Sequence, residues 1–382
     1  MYSKNVSVGR RGFLSKGLAL AGVGPILFPL DAAGAVSDPS FAEDVTTPSR
    51  SWGRGPISGL PWHSGGYSLL DHLVQARNGR GLDLVQNFPN NPDWSQIENI
   101  GRVPKWIRTV EDHEPIYYIL SFPPFPKNDP ESPKHDPMAW KRAASGEFND
   151  RWKKAAESLR DTTPGNCIVR VGWEFNGTSF PWTVHGLDGK SGQQQWYIDG
   201  FRHCVDMLRK HWSSSITISW CRIKNGKQIG NVSKYFPGKD HVDIIGLDYY
   251  DVYSPQYTLD DWEVEARRIN RNNEDDPIGI EAHLEMSRSL DLPMSVDEWG
   301  ISCRDRNTDQ ACDPSSGGDN PIFIEGMHRF LERNAASVAY ECYFNTSGGH
   351  QIGGDPSPNP KATEAYRSLW GADEASAPRS PA

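Results

Sequence analysis

Cys167-Ile-Val-Arg-Val-Gly-Trp-Glu174-Phe-Asn-Gly177 predicts a buried β-strand that ends in a glutamate and a loop. A second stretch of this kind, Leu292-Pro-Met-Ser-Val-Asp-Glu298-Trp-Gly-Ile-Ser302, follows much later in the chain. In a barrel of parallel strands, the side chains at the C-terminal strand tips converge on one site. The two stretches therefore predict a shared site that contains two carboxyl groups.

Short β-rich runs alternate with helical patterns along the chain. The runs cover residues 57–62, 82–88, 115–122, 167–175, 216–222, 242–250, 292–299 and 338–345. The helical pattern is clearest from Gln193 to Trp212, where large apolar residues recur at helical spacing. Eightfold strand–helix alternation predicts an α/β protein with a single (β/α)8 barrel over residues 52–371. A doubly wound sheet is the alternative, but no GxGxxG motif follows an early strand.

The N-terminal segment resembles an export signal. Arg10 and Arg11 precede an apolar run over residues 17–30 and then Ala33-Gly-Ala35, a small-residue cleavage pattern. The arginine pair is similar to that of a twin-arginine signal, although Gly9 stands where Ser or Thr is usual. We therefore expect residues 1–36 to be a signal peptide and the protein to be secreted or periplasmic; an N-terminal anchor is the alternative.

Composition restricts the partners of the remaining chain. Residues 1–36 carry four basic residues and one acid, so their removal takes the net charge from −9 to −12. An acidic protein lacks the clustered Lys and Arg that displace phosphate counterions, and we expect no nucleic-acid partner. We also expect a monomer that does not stay at a membrane after signal removal. Polar, proline-containing residues 37–51 predict a linker, and residues 372–382 predict a disordered tail.

The cysteines and histidines do not predict a metal site. The six cysteines contain no CxxC pair, and the eleven histidines form no HExxH or HxH pattern. We therefore expect neither a metal nor a cofactor. Cys303 and Cys312 bracket a polar loop directly after Glu298, so an oxidising compartment favours a disulfide between them. Two free thiols are the alternative.

Alternation of side chains in the second strand separates its two neighbouring acids. In a regular strand Met294, Val296 and Glu298 share one face, and Asp297 points the opposite way. This arrangement favours Glu298 as the residue of the site, provided that the strand has no bulge. Asp297 is then expected to cap or pair structurally.

Two carboxyls that differ in environment can cleave a glycosidic bond with retention. One is protonated and assists the leaving oxygen, and the other is ionised and attacks the anomeric carbon. Glu174 follows Trp173, and apolar surroundings would raise its pKa as an acid requires. Arg170 shares the face of Glu174 in a regular strand and is placed to hold Glu298 ionised.

The sequence motifs of these strands resemble those of glycoside hydrolase family 26, the endo-β-mannanase family, within the clan of retaining (β/α)8 glycosidases. The motifs are Arg170-x-x-x-Glu174-x-Asn176-Gly177, with Trp182 shortly after, and Val242-Asp-Ile-Ile-Gly-Leu-Asp248-Tyr-Tyr250. The likeness extends over most of residues 55–370. It implies that Glu174 on the fourth strand is the acid/base, Glu298 on the seventh the nucleophile, and Tyr250 the phenol that bonds the nucleophile. The family usually has histidine where this chain has Trp173.

Aromatic and polar residues near the strand ends are candidates for sugar contacts. Aromatic faces stack on pyranose rings, and Trp182 and Trp220 are the favoured subsite residues. Core packing is the alternative for each tryptophan, and for Asn176 and Asp248 structural capping competes with hydrogen bonding to sugar hydroxyls. The tryptophans near strand ends are Trp62, Trp173, Trp182, Trp220 and Trp299. The proline-rich insert 122–137 is a candidate cleft wall or lid.

These observations predict a secreted, retaining endo-glycosidase that hydrolyses a β-linked polysaccharide, with β-1,4-mannan first. Endo-xylanase and endo-β-glucanase activities of the same clan are alternatives. A non-catalytic carbohydrate-binding barrel is the alternative of another class, but it would have no need to keep both glutamates. No GxSxG elbow supports a serine esterase that would deacetylate a polysaccharide.

Overall fold

The structure, a computed structural model, describes residues 60, 62–101, 117–163, 165, 167–187, 192–227, 229–303 and 312–371. The predicted signal peptide 1–36, linker 37–51 and tail 372–382 lie outside the described residues.

Eight parallel strands close into a barrel, which confirms the predicted (β/α)8 class and excludes the open doubly wound sheet. Around the barrel each strand pairs with two neighbours, in the order β1-β10-β9-β6-β5-β4-β3-β2. A small antiparallel pair, β7 and β8, lies outside the barrel. The strands are β1 His63–Tyr67, β2 Leu84–Asn87, β3 Tyr117–Phe122, β4 Ile168–Val171, β5 Thr217–Ile223, β6 Ile244–Tyr250, β7 Ile269–Asn270, β8 Asp276–Pro277, β9 Met294–Gly300 and β10 Val338–Phe344.

Helices follow the barrel strands and cover the outside of the barrel. Helix α5 matches its predicted range closely and buries Phe201, Val205 and Leu208 on one face. No described helix combines the length and the apolar composition that crossing a membrane requires. The helices are α1 Leu70–Ala76, α2 Trp94–Glu98, α3 Met138–Ala144, α4 Asn149–Arg160, α5 Gln194–His211, α6 Leu259–Ala266, α7 Ile280–Ser289, α8 Pro321–Arg333 and α9 Pro360–Trp370.

The first barrel strand lies at residues 63–67 instead of the predicted range 57–62, of which residues 57–59 and 61 lie outside the described residues. Gly65 and Gly66 lie inside this strand, although Gly usually weakens a strand interior. At Gly65 an added Cβ would lie 2.7 Å from Cys342 Sγ and 2.9 Å from the Leu84 carbonyl oxygen. Glycine is required here because neighbouring strands approach the backbone closely.

Strand β9 contains an irregularity that decides which of its side chains face the barrel interior. Val296 pairs with Leu247 and Glu298 with Asp248, so Asp297 is an extra residue in the register with β6. A bulge of this kind breaks the alternation of faces. Asp297 and Glu298 therefore both point inward, whereas Val296 packs in the outer core between barrel and helices. The sequence predicted that Asp297 points away from Glu298 and that Val296 shares the face of Glu298. Both expectations were wrong because of this bulge.

Candidate active site

Glu298 lies at the C-terminal end of the barrel and is held by two donors. Arg170 Nη1 donates to Glu298 Oε1 over 2.7 Å, and Tyr250 Oη donates to Glu298 Oε2 over 2.6 Å. Burial, and then the charge of Glu298, raise the pKa of Tyr250 well above its usual value, so the phenol keeps its proton. The Glu298 side chain is only 5% exposed. Both oxygens of this carboxylate are therefore fixed in place by donors.

Arg170 on β4 is fully buried and bonds three carboxylates. Arg170 Nη1 bonds Glu298, as described above. Arg170 Nη2 donates to both oxygens of Asp248 at 2.8 and 2.7 Å, and Arg170 Nε donates to Asp297 Oδ2 at 3.0 Å. The planar guanidinium suits this arrangement because it offers five donors in fixed directions. Asp248, a candidate sugar contact, is itself fully buried and also accepts from Cys221 Sγ at 3.2 Å. It lies beneath the site as a partner of Arg170.

Asp297 has a full set of donors. Ser219 Oγ donates to Oδ2 over 2.6 Å, as Arg170 does, and Oδ1 accepts from Tyr340 Oη over 2.7 Å and from Ser295 Oγ. A carboxylate with this many buried donors is held in one orientation and satisfied. Asp297 therefore has the structural pairing role that the sequence suggested, although it faces the barrel interior.

Glu174 occupies a different setting, three residues beyond the end of β4. Its φ of 52° is in the left-handed region, as is that of Gly172 at 56°, so the predicted strand 167–175 stops early and turns. Its amide donates to the Cys221 carbonyl oxygen over 3.0 Å, which ties the turn to β5. Within the described chain no side chain or backbone group donates a hydrogen bond to the Glu174 carboxyl. A strained conformation that holds an unpaired carboxyl is typical of a functional position.

The environment of Glu174 favours its protonated form. Burial, followed by the negative charge of Glu298, raises its pKa to about 8, while Arg170 opposes this shift. At neutral pH the Glu174 carboxyl is therefore mainly protonated. The neighbouring Glu298 has two donors that Glu174 lacks.

The carboxyl groups of Glu174, Asp248 and Glu298 converge. One oxygen of each lies within 4.8 Å of the others. Three oxygens at this spacing could hold a cation, and no other such group of His, Cys, Asp or Glu was found in the part of the chain that the structure describes. Arg170 already supplies positive charge to Asp248 and Glu298, so the cluster has an internal counterion.

The rings around the site opening form a feature that the sequence analysis missed. This aromatic arc consists of Tyr67, Phe88, Trp173, Phe180, Tyr250, Phe344 and His350. Tyr67 and Phe344 stack with centroids 5.0 Å apart, Phe88 lies 5.5 Å from Trp173, and its ring is 5.7 Å from the Arg170 guanidinium. Except for Trp173, the members are half-buried, so they present ring surface to a ligand. Trp173 and Tyr250 were candidates from the sequence, whereas Tyr67 at the end of β1 and Phe88 directly after β2 were not, although their position at strand ends was an available signal.

The tryptophans favoured as subsite residues are buried. Trp182 is 0% exposed, and its Nε1 donates to the Trp173 carbonyl oxygen over 2.6 Å. Trp220 is 1% exposed and donates to Tyr197 Oη over 2.9 Å, behind the barrel wall. Neither face of these rings is open to a sugar, so the core-packing alternative is correct for both. Trp62 and Trp299 are likewise core residues.

Asn176 clamps two backbone segments together and does not face the site. Its Nδ2 donates to the Ile223 carbonyl oxygen over 2.9 Å, and its Oδ1 accepts from the Ile223 amide over 2.9 Å. The side chain is fully buried. The structural alternative is therefore correct for Asn176, which fixes the turn after Glu174 to the end of β5.

Cys303 and Cys312 form a disulfide, as the sequence predicted. It joins the residues just after β9 to the segment 312–320 that leads to α8. The proline-rich insert 122–137 follows β3 at the same end of the barrel as the two glutamates, the end at which barrel loops build sites.

Solved structures share this barrel. GH26C from Muricauda sp. MAR_2010_75 superposes with a TM-score of 0.53 and 14% identity, over 84% of this chain and 89% of that one. The catalytic domain of the Bacillus sp. JAMB-750 GH26 endo-beta-1,4-mannanase gives 0.51 and 16%, over 84% and 89%. A Cellulomonas fimi endo-beta-1,4-mannanase double mutant gives 0.52 and 16%, over 82% and 72%. The resemblance to glycoside hydrolase family 26 is thus confirmed in the fold.

No protein-family model and no curated protein sequence matches the chain. At 14–16% identity the structural likeness carries the fold alone. The chemistry must therefore be argued from the site of this chain.

Proposed function

We propose that the protein is a retaining endo-glycosidase that hydrolyses a β-linked polysaccharide, with Glu174 as acid/base and Glu298 as nucleophile. The observation that carries the proposal is the pairing of these carboxyls, whose nearest oxygens lie within 4.8 Å while their environments differ. Retaining enzymes hold their two carboxyls roughly 5–5.5 Å apart, whereas inverting enzymes leave roughly 6.5–9.5 Å for a water. The close spacing supports retention.

Each step of a double displacement has a residue to perform it. Glu298 Oε attacks the anomeric carbon while the Glu174 carboxyl gives its proton to the leaving glycosidic oxygen, and a covalent glycosyl ester forms on Glu298. Glu174, now ionised, then takes a proton from water. That water attacks the anomeric carbon and releases Glu298 as a carboxylate. Arg170 and Tyr250 stabilise the charge that Glu298 carries before and after the ester exists.

We propose β-1,4-mannan as the preferred substrate. Two of the structures with a similar fold are described as endo-beta-1,4-mannanases, which supports this choice. Trp173 departs from the family's usual histidine and replaces a polar ring with an indole in the aromatic arc. Xylan and β-glucan are kept as alternatives for this reason. We further propose that the enzyme acts as an exported monomer and needs no metal or cofactor.

Release of reducing sugar from mannan, glucomannan, xylan and mixed-linkage β-glucan tests the proposal. The parent protein is compared with Glu174→Gln and Glu298→Gln, each of which keeps the shape of the side chain. We expect the parent to cleave one polymer and both variants to lose that activity. A parent inactive on every polymer, or a variant as active as the parent, would overturn it.

A further inference from the structure

The loop after β6, residues 251–258, carries exposed aromatic side chains at the catalytic end of the barrel. Tyr253 is 45% and Tyr257 60% exposed, whereas most aromatic rings in the described residues are buried or half-buried. An exposed tyrosine ring keeps apolar surface in contact with water, which is unfavourable. Exposed tyrosines are therefore typical of surfaces that bind a ligand. Tyr250, which bonds Glu298, begins the same stretch of chain.

This loop is held rigidly against the segment that the disulfide anchors. The Tyr253 amide donates to the Ser315 carbonyl oxygen over 2.6 Å, and Val252 forms an antiparallel bridge with Ser316. Asn320 Nδ2 donates to Asp251 Oδ2 and to the Gln256 carbonyl oxygen, both over 2.8 Å. The tyrosines are therefore presented on a fixed support, so a ligand would not have to order the loop on binding.

Tyr257 lines a cavity of about 550 Å³ between this loop and the segment 312–322. Ligand cavities typically measure roughly 300–1,000 Å³ and combine aromatic surface with a few polar groups. The cavity's walls come from the loops after β6, β9 and β10, so it opens at the same end of the barrel as Glu174 and Glu298. The polar lining side chains are Asp313, Ser316, Asp319, Asn320 and Lys361.

We propose that this cavity is a subsite for a neutral sugar unit of the polymer, distant from the bond that is cleaved, with Tyr257 as the stacking platform. The proposal rests on the proposed function and adds a binding site to it. The exposed phenol ring covers the apolar face of a pyranose, and the side chains of Asp313, Asp319 and Lys361 bond its hydroxyls. Among the described lining residues Asp313 and Asp319 are acids and Lys361 is a base, so this lining supplies no net positive charge that would select an anionic sugar.

The orientation of the polar lining is fixed before a ligand arrives. Asp319 accepts from the amides of Lys361 and Ala362 at 3.1 and 2.8 Å at the start of α9. Asn320 Oδ1 accepts from the Ile322 amide at 3.1 Å at the start of α8. Fixed polar groups of this kind give a sugar site its specificity.

The test compares Tyr257→Ala, Tyr257→Phe and Val264→Ala in the full chain. Val264 is 73% exposed on α6 and does not line the cavity, so its variant is the matched surface control. Initial rates are measured on polymeric mannan and on an aryl β-mannobioside, which occupies only two sugar positions and the leaving-group position. Affinity for glucomannan is measured by gel retardation with Glu174→Gln as the background.

For Tyr257→Ala we expect a loss of roughly three- to tenfold in kcat/KM on the polymer and in glucomannan affinity. Tyr257→Phe and Val264→Ala should match the parent, and no variant should change the rate on the aryl glycoside. Equal losses on polymer and aryl glycoside, or no loss on either, would overturn the subsite. If the parent cleaves no polymer, the proposed function fails, and glucomannan retention then tests the subsite by itself. Weaker retention when Tyr257→Ala is added to the Glu174→Gln background would support the subsite. Unchanged retention, or no retention of Glu174→Gln itself, would reject it.

Discussion

The turn after β4 and the end of β9 each present one glutamate to the barrel opening, and they treat it in opposite ways. Glu298 stands on a bulged strand and accepts hydrogen bonds from Arg170 and Tyr250. Glu174 stands in a left-handed turn, where burial raises its pKa and no described residue bonds its carboxyl. Two identical side chains are thus set for different tasks by their surroundings, because donors hold one carboxyl while the other is desolvated beside a negative charge.

Replacement of the two glutamates should have the largest effect and should separate their roles. Glu298→Ala removes the attacking oxygen, so we expect a loss on the order of 10³-fold or more on every substrate. Glu174→Ala removes the proton donor, which an activated aryl glycoside does not need. That variant should form the glycosyl ester on Glu298 and accumulate it, because no base activates water.

Mass spectrometry of the intact protein checks this difference. An added glycosyl mass in Glu174→Ala, localised to the peptide that contains Glu298, is the expected result. The double variant Glu174→Ala/Glu298→Ala is the control and should gain no mass. An ester on Glu174 in the Glu298→Ala variant would reverse the two roles.

Loss of Arg170 should destabilise the whole fold and also remove a hydrogen bond that holds Glu298. Arg170→Met leaves Asp248, Asp297 and Glu298 buried without their shared counterion, and breaking a buried pair costs about 3–5 kcal/mol. Urea unfolding measures this free energy. Arg209→Met is the matched control, because its pair with Asp243 is partly exposed and should contribute about 1 kcal/mol or less. Equal destabilisation in both variants would contradict the role of Arg170.

The raised pKa of Glu174 predicts how activity and stability depend on pH. The alkaline limb of kcat/KM should fall near pH 8, and Glu174→Gln should lack this limb on an activated aryl glycoside. In the folded protein the pKa of Glu174 exceeds its ordinary value of 4.5. The contribution of Glu174 to the free energy of unfolding is therefore fully present below pH 4.5 and is lost as the pH rises to about 8.

Glu174→Gln should therefore gain thermal stability over the parent as pH increases from acid to pH 8, and the gain should then level off. Thermal unfolding at a series of pH values measures it. The control is Glu157→Gln, a surface carboxyl on α4 whose side chain is 39% exposed, which should show no such trend. A constant difference between Glu174→Gln and the parent would mean that Glu174 is ionised in the folded protein.

Asn176 should give the smallest effect, and one confined to stability. Asn176→Ala leaves the Ile223 amide without its acceptor and the Ile223 carbonyl with only a 3.4 Å contact from Arg222 Nε, which costs about 1–3 kcal/mol in the free energy of unfolding. KM should not change, because Asn176 lies behind the turn that carries Glu174. Asn99→Ala, at an exposed helix end, is the control. A raised KM with unchanged stability would return Asn176 to the list of sugar contacts.

Local pattern was enough to predict the barrel and several site contacts. Strand–helix alternation depends on neighbouring residues, and its eightfold repeat without a GxGxxG motif favoured a closed barrel over a doubly wound sheet. The position of Arg170 in the motif was informative for the same reason, since a buried guanidinium beside two strand-end acids has few other partners. The Cys303–Cys312 bridge needed only a short loop between two cysteines.

Tertiary structure alone decided which way β9 points its acids and which aromatic rings are open. Sequence indicates Asp297 and Glu298 but not the bulge, because a bulge depends on the register with β6 and β10. Trp182 and Trp220 looked like sugar platforms because exposure is not local: it is set by what packs against the ring from other elements. The half-buried arc of Tyr67, Phe88 and Phe344 comes from three separate strands that only the closed barrel brings together.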